Sequence, residues 1–163
     1  MTDVRISSNR YVTGLDPAGK SCIVDLGEVH KSARWELGEN KAHDFWVVPG
    51  LPAPLQETEN PAADWRPINE APQGGVIGRL ITWAPGFEIP MHATPTLDFV
   101  VLISGELELI LETERRLLAP GDVVVQRGTA HGWRNPGTTA CTLVVVMVDA
   151  ANVQIGAKDE DSA

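Results

Sequence analysis

The chain has 163 residues, a length that suits one domain with modest appendages and lets a core form without disulfide staples. Hydrophobic residues make up 43%, so the chain should be globular, and 15 glycines and 12 prolines among short apolar runs favour strands and turns over long helices. A formal net charge of -9 argues against a nucleic-acid partner, which needs a basic surface, and against docking on anionic membrane.

No apolar run approaches the roughly 20 residues of a spanning helix. Met1 to Arg10 is polar and carries no secretory h-region, so a cytoplasmic home is expected. Cys22 and Cys141 each lie in an apolar, β-branched stretch and are expected to be buried free thiols.

In chain order, short strands are expected around Tyr11 to Thr13, Ser21 to Leu26, Ala33 to Leu37 and Phe45 to Val48. Asp16-Pro-Ala-Gly between the first two is a turn signal and predicts a hairpin. Pro49 to Gly75 holds six prolines and no clear period, and reads as a long ordered loop or covering arm. Strands follow at Val76 to Trp83, Ile89 to Thr94, Asp98 to Ile103 and Glu106 to Leu111. Further strands fall at Arg115 to Leu118, Val123 to Gln126, His131 to Arg134 and Cys141 to Val148, with glycine, proline or asparagine turns between most of them. Leu107, Leu109, Val123, Val125, Val144 and Val146 are expected on buried faces. The organisation is thus 1–74 as N-terminal strands and covering arm, 75–149 as the main all-β unit and 150–163 as a mobile acidic tail. Pattern alone leaves an immunoglobulin-like sandwich, a jelly roll and a lipocalin open.

The polar residues narrow the choice. His92 and His131 both sit at strand ends beside turns, and a lone strand histidine is more often structural than functional. Here each is embedded in a pattern. The first runs Gly86, five residues, His92, Ala93, Thr94, three residues, Asp98, six residues, Gly105. The second runs Gly121-Asp122, a valine run, Gln126-Arg127-Gly128, two residues, His131, three residues, Asn135. Residues i and i+2 of a strand share a face, so His92 and Thr94 point the same way.

These patterns resemble the two motifs of the cupins over roughly Gly75 to Asp149. The resemblance implies a double-stranded β-helix, or jelly-roll, barrel with an N-terminal β extension, and His92, Asp98 and His131 converging inside it. Two departures stand out. Thr94 occupies the place of the family's second histidine, and Asp98 that of its glutamate, shorter in reach by about 1.5 Å. Gln126 also stands where the second motif has proline. The remaining set of two histidines and one carboxylate suits one divalent ion, whether iron, manganese, nickel or zinc. Thr94, Gln126 and Trp133 are candidate substrate contacts. Trp133 has core packing as its alternative reading, Glu88 and Arg127 are placed in loop or turn, and His30 and His43 read as surface or structural.

The leading functional expectation is a metal-dependent enzyme acting on a small anionic or enolisable molecule. Dioxygenase, decarboxylase, dehydratase and isomerase chemistries all remain open, because a fold does not select a reaction. The alternative is a metal-free cupin that binds a small molecule as a sensor or accessory protein; a storage role ranks last. The resemblance also implies a homodimer, with Trp35 and Trp46 of the N-terminal arm packed against a partner barrel.

Overall fold

A computed structural model describes residues 8–29, 33–55 and 70–151, with the backbone alone for residues 33 and 34. Most of the acidic tail, the middle of the proline-rich arm and His30 lie outside the described residues. Twelve strands are described: β1 Asn9–Leu15, β2 Ser21–Glu28, β3 Ala33–Leu37, β4 Asn40–Val48, β5 Val76–Trp83, β6 Glu88–His92, β7 Thr96–Ser104, β8 Leu107–Ile110, β9 Arg115–Leu118, β10 Val123–Arg127, β11 His131–Arg134 and β12 Cys141–Asp149. Among the described residues, no helix is long and apolar enough to cross a membrane.

The strands form three antiparallel sheets. β1 and β2 make the hairpin that the Asp16 turn predicts: the Asp16 carboxylate accepts bonds from the Ala18 and Lys20 amides at 2.9 and 2.8 Å. A six-stranded sheet runs in the order β10-β7-β12-β5-β4-β3, and a four-stranded sheet in the order β6-β11-β8-β9. The core lies between these two larger sheets. Val47, Ile77, Val100, Leu102, Leu143, Val145 and Met147 come from the six-stranded sheet, and Leu107, Leu109 and Trp133 from the four-stranded one. The sheets remain open at their edges, and the arrangement is that of a jelly roll.

The turns between strands depend on particular residues. Gly105 has a φ of +79°, and a Cβ there would stand 2.7 Å from the Cys141 Cα, so both the backbone angle and the space require glycine. Asn135, fully buried, ties three backbone groups together. Its Nδ2 donates to the carbonyls of Trp83 at 3.0 Å and Thr139 at 2.9 Å, and its Oδ1 accepts from the Gly137 amide at 3.0 Å. The second motif therefore ends on a residue that fixes the entry into β12.

The six-stranded sheet corrects one expectation. Val123 and Val125 are 60% and 53% exposed, and Val144 and Val146 are only half-buried, whereas Leu107 and Leu109 are buried as expected. The cause is register. Gln126 pairs with Asp98 and Val124 with Val100 on the inner face, so Val123 and Val125 must turn outward. On β12 the inward set is Leu143, Val145 and Met147. Trp35 lies on β3, the edge strand of this sheet, and its indole lines the chain's own cavity. Cys141 is buried and Cys22 half-buried, both free.

Candidate functional site

A cavity of about 430 Å³ opens between the two large sheets. Its wall includes His92, Thr94, Asp98, His131 and Trp133, so five of the six residues singled out from sequence meet in one place. The sixth, Gln126, is buried but is not among the lining residues. Its amide donates to the Thr129 carbonyl at 2.8 Å and to the Thr129 hydroxyl at 2.7 Å. The same carbonyl accepts from His131 Nδ1 at 2.8 Å, so Gln126 braces the turn that aims His131.

The two histidines come from neighbouring strands. His131 at the start of β11 pairs in register with His92 at the end of β6, and the ring centroids are 4.5 Å apart. His92 Nδ1 lies 2.9 Å from the Pro90 carbonyl, as His131 Nδ1 lies against Thr129. A carbonyl can only accept, so Nδ1 carries the proton on both rings. In the neutral state each Nε2 is then left with a bare lone pair. Burial pushes the His131 pKa below the usual histidine value; the Thr129 bond opposes this and the nearby His92 reinforces it. His131 is thereby kept neutral, the form that ligates a cation or accepts a proton.

Asp98 comes from the other sheet, on β7. It is 6% exposed, and its Oδ1 has no hydrogen-bond partner. Burial raises its pKa, against the lowering effects of the Thr96 hydroxyl, the Arg79 charge and His92. Thr94 and Thr96 are both buried with their hydroxyls 2.8 Å apart, so a line of hydroxyls leads from the cavity wall to Asp98. Thr94, standing where the cupin motif has histidine, is thus engaged with Thr96.

Sequence reasoning missed one charged pair. Arg79 on β5 lines the cavity, and its Nε and Nη2 reach the two oxygens of Asp44 on β4 at 2.5 and 3.2 Å. Both side chains are buried. Arg79 interrupts the apolar run of Val76 to Trp83, which is a signal in the sequence. Its partner lies 35 residues away, and the β4–β5 register that joins them cannot be read from either strand alone. His43 is buried on β4, Glu88 and Arg127 are exposed, and the Cys141 thiol, pushed up to about 11 by burial, is no nucleophile.

The donor chemistry of His92, His131 and Asp98 fits a divalent ion: two imidazole Nε2 atoms free of the Nδ1 bonds and one buried oxygen without a partner, all on a single cavity. Among the described residues, however, no three histidine, cysteine, aspartate or glutamate side chains are gathered as a ligand cluster. The two histidines are adjacent, and Asp98 stands on the opposite sheet with a hydrogen bond to Thr96.

Comparison with known proteins agrees with this architecture. The family profile described as Cupin domain matches residues 79–147. The chain is 42% identical over 156 residues to phomopsin biosynthesis cluster protein C' of Diaporthe leptostromiformis, covering 92% of this chain and 82% of that one. It is 37% identical over 142 residues to oryzines biosynthesis cluster protein J of Aspergillus oryzae, covering 81% and 78%. It is 32% identical over 158 residues to the cupin-domain-containing oxidoreductase fogC of Aspergillus ruber, covering 91% and 76%. With both motifs placed on one cavity and relatives matched along most of their length, the chain belongs to the cupin superfamily.

Proposed function

We propose that this cupin is an enzyme of small-molecule metabolism, in the manner of relatives named as oxidoreductases and as members of fungal biosynthetic clusters. The observation that carries the reading is the histidine pair. Two imidazoles with Nδ1 anchored to backbone carbonyls leave two lone pairs on rings 4.5 Å apart, with the orphaned Asp98 Oδ1 on the same cavity. A buried acceptor without a donor, such as Asp98 Oδ1, is costly unless a cation or a donor reaches it.

A divalent ion is the first candidate for that role, held by His92 and His131 through Nε2 and by Asp98 through its carboxylate. When bound it would supply a Lewis acid, or a redox centre if it is iron. The protein's own contribution is otherwise legible from its residues. The cavity wall is mostly apolar, Gln126 and Thr129 orient His131, and Thr96 steadies Asp98. The metal-free alternative, a small-molecule-binding cupin, draws support from Thr94 and from the absence of a gathered three-ligand cluster among the described residues. Titration with cobalt(II), read by its visible absorption bands, separates the two. The enzyme reading expects saturation near one equivalent in the wild type and loss of the bands in His92→Ala. Identical spectra for the two proteins would favour the metal-free reading.

The same chain is proposed to act as a homodimer. The outer face of the six-stranded sheet presents Phe99, Ile103, Val123 and Val125, each at least 40% exposed. The β1–β2 hairpin presents Tyr11, Leu15, Ile23 and Leu26 on one face while its Arg10–Asp25 ion pair lies on the other. Two uncovered apolar surfaces on one chain suit burial against a second copy.

A further inference from the structure

The cavity is polar at one end and aromatic at the other. Along β5 and its partners, Asp98 stands level with Met147 and Ile77, and Trp83 lies three inward positions farther on, level with Cys141. Three of the chain's five tryptophans line this single cavity: Trp35 from edge strand β3, Trp83 from β5 and Trp133 from β11. Phe87 packs 5.9 Å from both Trp35 and Trp83 and so backs the aromatic wall from one side. Trp133 meets His131 edge-on at 5.7 Å and connects the aromatic wall to the histidine pair. A cavity meant for an aliphatic chain needs no such concentration of indoles; leucine and isoleucine fill space as well. Indole faces add a preference for flat π-systems that stack or meet edge to face.

The polar end sets the substituent. With Nδ1 protonated on both rings, His92 and His131 offer acceptors, and the Asp98 oxygen adds another. Such an end welcomes a hydroxyl that donates, and the same hydroxyl, once ionised, remains a good partner for any cation held there. Arg79, one inward position from Asp98, also lines this end, and its guanidinium is engaged by the Asp44 carboxylate. A volume of about 430 Å³ falls within the range of small-molecule pockets, on the order of 300–1,000 Å³.

We propose that the substrate is a planar aromatic molecule bearing an acidic hydroxyl, a phenol or enol, with its rings among Trp35, Trp83 and Trp133 and its hydroxyl on the His92–His131 pair. This rests on the reading of the cavity as the active site and adds its substrate class.

Binding of three probes to the full chain, followed by tryptophan fluorescence and calorimetry, tests it. 2-Naphthol has both the rings and the donor, 2-methoxynaphthalene keeps the rings without the donor, and decahydro-2-naphthol keeps the donor without the aromaticity. The expected result is that 2-naphthol binds about tenfold more tightly than either analogue. Trp35→Leu should weaken 2-naphthol and leave decahydro-2-naphthol unchanged, and His131→Ala should abolish the preference for 2-naphthol over its methyl ether. Circular dichroism confirms that each variant folds. Decahydro-2-naphthol binding as tightly as 2-naphthol would overturn the aromatic assignment while leaving the histidine site standing. Equal binding of 2-naphthol and 2-methoxynaphthalene by the wild type would overturn the site itself.

Discussion

The two faces of the six-stranded sheet each depart in part from the usual arrangement of a half-buried sheet. The inner face carries Asp44, Arg79, Asp98 and Gln126 among its aliphatic residues, all nearly inaccessible. The outer face of the same strands carries Phe99, Ile103, Val123 and Val125, all open to solvent. Stability alone would place these groups the other way round, because buried charge is costly and exposed apolar surface gains nothing. The inner charges face the cavity, and the outer apolar residues are the basis on which a homodimer is proposed. On β10 a single register decides both at once: the alternation that keeps Gln126 inside sends Val123 and Val125 out.

The largest effect should come from breaking the inner face at its ion pair. Asp44→Ala removes a buried carboxylate from the Arg79 guanidinium and should cost about 3–5 kcal/mol in denaturant unfolding. A loss below about 1 kcal/mol would mean that the pair is solvated and that the cavity is wetter than described.

Asn135→Ala comes next. It frees two carbonyls and one amide that are now paired inside the turn, and a cost of about 2–3 kcal/mol is expected by the same measurement.

Asp98 gives a smaller effect of opposite sign. Its folded pKa is raised above the unfolded 3.8, so the folded state holds its proton more tightly. The contribution of Asp98 is fully present below 3.8 and is lost as pH rises through the folded value. Asp98→Asn should therefore raise the melting temperature of chelator-treated protein at pH 7, and should lower it once a divalent ion is bound. His131 has the reverse slope. Its folded pKa lies below the unfolded 6.5, so stability is lost as pH falls below 6.5 toward the folded value, and His131→Gln should flatten that acid limb.

The smallest effect on folding should come from the outer face. Val125→Lys on exposed β10 should leave monomer stability within about 0.5 kcal/mol and yet shift light scattering from dimer to monomer. A monomeric wild type at micromolar concentration would contradict the pairing.

The comparison also shows which features can be read from sequence. Strand positions were legible wherever glycine, proline or asparagine closed a strand: β3, β5, β9 and β11 fall where the turn residues place them, and the Asp16 hairpin forms. His92, Asp98 and His131 were legible through motif spacing, which brings them to one cavity. The phase of Val123-Val-Val125 was not, because a run of identical side chains has no alternation to read. An inward Gln126 was itself incompatible with inward valines one and three positions before it. The Arg79–Asp44 pair and Trp35 were hidden because their place depends on strand pairing between distant segments. The sequence does not encode that pairing locally.

The central claim is that His92, His131 and Asp98 together form the reactive end of the cavity and hold one divalent ion. Elemental analysis of protein purified without chelator, beside His131→Ala prepared identically, tests it most directly. The account predicts close to one equivalent of a transition metal per wild-type chain, and a folded His131→Ala barrel with almost none. A wild type that carries no more metal than His131→Ala, even after incubation with iron, manganese, nickel and zinc, would contradict it.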